Sequence, residues 1–179
     1  TADRLDASGC LVIPGNVCAH THLYSALARG LPFDLAPPRD FIEVLRRIWW
    51  RLDRALDGPA IRASALVGGA EALLAGTTTL VDHHASPEAI DGSLDLLAQA
   101  LDALGIRSVL AYEVTDRDGP ERAAAGVAEN RRFAAGAATG SMPLARAMIG
   151  AHASFTLSEA TLRACVDAVA ATGVGMHIH

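Results

Sequence analysis

Gly76-Thr77-Thr78-Thr79-Leu80-Val81-Asp82, with Ser86-Pro87 close behind, decides how this chain reads. Its threonines and Val81 are β-branched, a composition that favours a strand. Ser86-Pro87 then opens a helix in which Leu94, Leu97, Ala98 and Leu101 share one face, ended by Gly105. Outward from this unit the same alternation returns. Residues 106–114 read as the next strand, Gly119-Pro120 opens an Ala-rich helix, and residues 144–149 form another strand. Thr156-Leu157-Ser158-Glu159 has the capping-box pattern, with Leu162, Cys165, Val166 and Val169 at helical spacing behind it and Gly173 as the stop. Residues 174–179 are the last strand.

Towards the N-terminus, a helix from Phe41 carries Leu45, Ile48, Trp49, Leu52 and Leu56 on one face. Asp57-Gly58-Pro59 breaks it and starts another, which runs to about Ala75. Residues 31–40 hold three prolines and read as a loop. Residues 16–22 lead from Pro14-Gly15 into a strand with a polar tip. Strands alternate with single helices at about thirty-residue intervals, which is the pattern of βαβ units on a parallel sheet. The fold class is therefore α/β, and the pattern alone leaves a barrel or an open doubly wound sheet.

Composition narrows the function. The 179 residues are fewer than the roughly 250 of a complete (β/α)8 barrel. With 51% hydrophobic residues the chain can bury a core, and a net charge of −5 gives no reason to expect nucleic acid. Cys10, Cys18 and Cys165 share no zinc-ligand spacing and fit reduced thiols of a cytoplasmic protein; Cys18 is expected to be inert. No apolar run is long enough for a membrane span, and the polar start is no signal peptide.

The histidines carry the chemistry. His20 and His22, His83 and His84, His152, and His177 and His179 all fall at or just past the C-terminal ends of expected strands, the functional face of parallel α/β folds. Residues two apart on a strand point to the same side, so His20 and His22 can reach one ion, and His177 and His179 repeat the spacing. A tripod of His20, His22 and His179 leaves open positions on a zinc-like ion for water and substrate. One His-x-His is commonly incidental; two on strand ends are harder to assign to chance. Adjacent His83 and His84 face opposite sides, so at most one enters a pocket. His177, one layer deeper than His179, reads as a buried, hydrogen-bonded histidine. Trp49 and Trp50 read as packing residues.

Pro14-Gly15-Asn16-Val17-Cys18-Ala19-His20-Thr21-His22 resembles the first-strand motif of the amidohydrolase superfamily. Gly76 to Asp82, Ala151-His152-Ala153-Ser154-Phe155-Thr156 and His177-Ile178-His179 resemble the second-, fourth- and fifth-strand motifs of its cytosine-deaminase and chlorohydrolase branch. Trp49-Trp50-Arg51-Leu52-Asp53 and Asp82-His83-His84-Ala85-Ser86-Pro87 look like the SsnA group of aminohydrolases within that branch. The resemblance covers nearly the whole chain. It implies the first five strands of a metal-dependent (β/α)8 barrel in residues 16–179, with residues 1–15 as a remnant of an N-terminal β-sandwich. It further implies His20, His22 and His179 as ligands of one divalent ion, zinc first and iron second. His152 would contact substrate; His83 and His84, from their place at a strand end, are further catalytic or substrate-binding candidates, with a structural or merely polar role as the equal alternative. A catalytic Glu, a fourth His ligand and an Asp would lie beyond residue 179. Five strands leave two open sheet edges, so residues 1–179 alone are not expected to fold stably.

The reaction this implies is hydrolytic deamination of a small purine-, pterin- or pyrimidine-like heterocycle, with water as co-substrate and a homodimer as the suggested assembly. Two alternatives remain beside it. One is a chlorohydrolase or cyclic-amide hydrolase with the same site. The other is a non-catalytic α/β binding domain, which would need a phosphate-binding glycine loop after a strand; Gly68-Gly69 lies within an expected helix instead.

Overall fold

The computed structural model describes residues 3–31 and 36–179. The part of the 31–40 loop expectation that falls on residues 32–35 lies outside them. Strand β1 (Asn16–Thr21) is followed by a 3-10 turn, Leu23–Ala28. The expected helix from Phe41 is present as four short pieces in succession: α1 (Phe41–Val44), a π turn (Leu45–Trp49), α2 (Trp50–Leu52) and a 3-10 turn (Asp53–Ala55). Then come α3 (Gly58–Leu74), β2 (Thr77–His84), α4 (Ser93–Ala103), β3 (Arg107–Tyr112) and α5 (Pro120–Ala138). Strands β4 (Ala145–Ala147) and β5 (Ile149–Ala151), helix α6 (Glu159–Thr172) and β6 (Met176–Ile178) complete the chain.

All strand pairs are parallel, and the neighbours follow sequence order: β1-β2-β3-β4 in one sheet and β5-β6 in the next. The pairing of Val114 with Ala151 bridges the two. A doubly wound sheet reverses strand order at its switch point; here no reversal occurs among the described residues. The sheet is singly wound, as in the first part of a (β/α)8 barrel.

One expected strand, residues 144–149, is two. Asn130 of α5 inserts its buried amide beside β3: Oδ1 accepts from Tyr112 N (2.8 Å) and Gly150 N (3.3 Å), and Nδ2 donates to Tyr112 O (2.8 Å). These bonds replace rungs of the ladder between Leu110 and Val114. The backbone approaches so closely there that a Cβ on Gly150 would meet Tyr112 O at 2.1 Å.

Two helix starts also differ from expectation. The helix expected from Ser86-Pro87 begins only at Ser93, after Gly92 in the left-handed region (φ 74°). Its first turn is capped from another helix: Glu129 of α5 accepts from Gly92 N (3.2 Å) and Leu94 N (3.1 Å). In α6 the cap is Ser158, whose hydroxyl accepts from Thr161 N; Thr156, read as the capping residue, serves His152. Gly76 and Gly173, by contrast, end α3 and α6 with positive φ, as read.

The main core lies between β1–β4 and α3–α5, where Leu80, Leu94, Leu97, Leu101, Ile106, Leu110 and Phe133 are sealed from solvent. A second cluster, with Val114, Ile149, Cys165 and Ala168, packs α6 under β5 and β6. Leu5, Leu11, Val12 and Ile13 are exposed, and no strand occurs in residues 3–15.

Candidate metal centre

Parallel strands end on one rim, and the seven histidines occupy it. His20 lies within β1 and His22 just after it; His83 and His84 end β2; His152 follows β5; His177 lies in β6 and His179 just after it. The first and last strands are brought together there. His20 Nε2 is 3.2 Å from His22 Nε2, and His179 Nε2 is 3.4 Å from the same atom.

Hydrogen bonds at the far side of each ring explain this arrangement. His22 Nδ1 lies 2.7 Å from the carbonyl of His83, and His179 Nδ1 lies 2.5 Å from that of His152. A carbonyl only accepts, so each Nδ1 carries the hydrogen and each Nε2 presents a lone pair. His20 Nδ1 in turn meets His177 Nε2 at 2.8 Å. Lone pairs aimed at one another at such distances repel unless a cation or proton lies between them. A backbone anchor behind each coordinating nitrogen is also the usual outer shell of a histidine metal site. The donor set of His20, His22 and His179, all within 4.8 Å of one another, therefore fits a divalent ion with open positions.

His83 points to the same cluster, stacked on His177 with centroids 4.7 Å apart, and both its ring nitrogens are buried without partners. His84 does not join it. Its Nε2 donates to Ser86 Oγ (3.0 Å), whose own hydrogen goes to Ala89 O (2.8 Å). His177 makes the hydrogen bond expected of it but is only half-buried.

Burial, with the other histidines of the cluster adding to it, holds His22 down to about 4. Burial chiefly takes His84 to about 3. Without a bound cation these rings are neutral at physiological pH, the form that can ligate a metal.

A cavity of about 490 Å³ opens over the cluster, with Tyr24, Trp49, Trp50 and Phe155 among its aromatic walls and His22, His152 and His179 at its floor. Trp49, which ends the π turn, and Trp50, which opens α2, both reach it. They do more than pack: Trp50 carries the Arg117 guanidinium 5.3 Å above its ring. Three polar residues at this site escaped the sequence reading. Asp53 lines the cavity and is paired with Arg117, which also pairs with Asp118. Glu113, just past β3, lines it 3.6 Å from His152 Nε2. Its position at a strand end was the available signal; Asp53 stood in the Trp49–Asp53 motif without a role, and nothing in the sequence pointed to Arg117, its partner 64 residues away. Burial raises Glu113 to about 8 and lowers His152 to about 4, so the pair is neutral near pH 6.

The model of the amidohydrolase family matches residues 11–179. The chain belongs to the amidohydrolase family. Among curated amidohydrolase relatives, the 5-methylthioadenosine/S-adenosylhomocysteine deaminase of Desulforudis audaxviator is 34% identical over 178 residues, 99% of this chain and 38% of that protein. This chain thus spans under two-fifths of that relative's length. Two solved structures share the fold. An adenosine deaminase from Xanthomonas campestris with bound zinc has a TM-score of 0.71 at 20% identity, covering 93% of this chain and 36% of the other. A guanine deaminase from C. acetobutylicum with guanine in its active site gives 0.77 at 13% identity, covering 93% and 39%. This amidohydrolase segment is therefore the N-terminal portion of a (β/α)8 barrel.

Proposed function

We propose that the whole protein is a metal-dependent aminohydrolase that removes an amine from an adenosine- or guanine-like heterocycle, with this chain supplying three of the metal ligands. The convergence of His20, His22 and His179 through their Nε2 atoms carries the reading, because each element of it has a structural cause. Deaminases among the amidohydrolase relatives and neighbours support it. A divalent ion, zinc in the first instance, supplies the positive charge that makes water nucleophilic near neutral pH. The chain's own residues do the rest. The carbonyls of His83 and His152 fix His22 and His179 in the ligating tautomer. The aromatic walls take the faces of a planar ring and exclude bulk water. His152, with its Nε2 bare, accepts a hydrogen bond from a group on that ring. The exposed apolar residues Leu5, Leu11, Val12 and Ile13 favour assigning residues 1–15 to a separate layer, with the barrel starting at residue 16.

Metal analysis and ammonia release by the full-length protein on purines, pterins and pyrimidines test this. His22→Ala should lower bound metal at least tenfold and abolish turnover, since outer-shell changes alone cost 10–100-fold. Full activity in a metal-free protein, or in that variant, would refute it.

A further inference from the structure

Tyr24, two residues beyond the ligand His22, brings to the cavity a hydroxyl that the fold does not use. It lies in the 3-10 turn Leu23–Ala28, whose backbone is fixed on both sides of it. Asp82 Oδ1 accepts from Leu23 N (2.7 Å), and Ser25 gives both its N–H (3.1 Å) and its hydroxyl hydrogen (2.7 Å) to His22 O. The ring stands edge-on to His22, Trp49 and His84, with centroids 5.5, 6.4 and 6.1 Å away. Tyr24 is thus held in one place, 5% exposed, on the wall of the cavity.

Among the described residues, no group hydrogen-bonds the Tyr24 hydroxyl. Nor is it one of the unpartnered atoms shut off from solvent, as both ring nitrogens of His83 are; it opens on the cavity. Burying a hydroxyl without a partner costs stability, and phenylalanine would fill the same space without that cost. Burial, with Glu113 and Asp53 adding to it, keeps the proton on well above the ordinary phenol range. The neighbouring polar group is complementary. The Thr156 hydroxyl lies 2.6 Å from His152 Nδ1 and 3.0 Å from Ala153 O; both bonds form only when Nδ1 donates, which leaves Nε2 as an acceptor. An amine-bearing heterocycle carries N–H groups and ring lone pairs together, and needs a partner of each kind.

We propose that Tyr24 is a further substrate-binding residue, whose hydroxyl gives a hydrogen bond to an acceptor atom of the heterocycle, a ring nitrogen or a carbonyl oxygen. This deepens the deaminase reading and rests on it. His152 Nε2 takes a hydrogen from the same ring, so the two side chains match its two kinds of polar atom. The bond that the hydroxyl lacks within the protein is the one the ring supplies. A neutral hydrogen bond of this kind contributes about three- to tenfold in binding.

The test is Tyr24→Phe in the metal-loaded full-length protein, a change that removes one oxygen and keeps the ring. Guanine and adenosine are the probes, followed by calorimetry and ammonia release, with metal content and denaturation midpoint measured alongside. For whichever probe binds, affinity and kcat/KM should fall at least about threefold. Metal content should stay unchanged, and the ligand-free midpoint should stay equal or rise. A hydroxyl that merely served the fold would do the reverse, lowering the midpoint and leaving affinity alone. Unchanged affinity, a lower midpoint or a loss of metal would each overturn the inference. Ammonia release that Tyr24→Phe leaves untouched would overturn it alone. A probe bound through Tyr24 but never deaminated would sink only the deaminase reading, and a protein that binds neither probe would sink both.

Discussion

Glu113 and His152 show how burial sets a pH response in a single pair of side chains. A carboxyl with a folded pKa of about 8 holds its proton long after the unfolded chain, near 4.5, has lost it. The stability it contributes is full below pH 4.5 and is lost as pH rises through about 8. Asp82, raised to about 7 by burial, acts in the same direction. The depressed histidines His22, His84 and His152 act in the opposite sense below pH 6.5. Metal-stripped protein should therefore lose denaturation midpoint only between about pH 7 and 8.5, and Glu113→Gln should shrink that loss; an unchanged slope would count against a protonated Glu113. At this scale the sequence was legible where residue type and periodicity sufficed. His20 and His22 lie two apart on a strand and their rings meet on one side. Glu113 went unread because a lone Glu on an expected strand end looks like any surface acid. Thr156 was misread because its local pattern matches a helix cap, while its actual partner, His152, became visible only when the turn closed.

At the element scale, the strands and helices were legible and their edges were not. Helix α4 illustrates why. Ser86 has the composition of a cap, but its hydroxyl is held by His84 and Ala89, and the cap comes from Glu129, 35 residues beyond Leu94, whose N–H it accepts. No local pattern encodes that. Glu129 is itself held by Arg132, with Nε–Oε2 at 2.7 Å. Glu129→Ala should cost about 1–3 kcal/mol in a urea melt, since it uncaps α4 and leaves buried N–H groups unpaired. The Asn130 insertion between β3 and β5 was equally invisible, and for the same reason: a side chain from a distant helix takes the place of a backbone rung.

Over the whole molecule, the choice between a barrel and an open sheet came from strand order, which alternation of elements cannot reveal. Every strand pairs with its sequence neighbour, so curvature accumulates in one sense and carries β6 round to β1. The two outermost strands share no ladder contact; what joins them is the side-chain pair His20 and His177, and His22 with His179. Among the described strands, the histidine cluster is thus a clasp that ties β1 to β6 across the rim. A chelator then becomes a mechanical tool: withdrawing the ion from the full-length protein should loosen the two clasped strands while those between them stay taut. Amide hydrogen exchange should accelerate after chelation in β1 and β6 and stay slow in β2 and β3, and uniform acceleration would mean that these two strands were never held by the clasp.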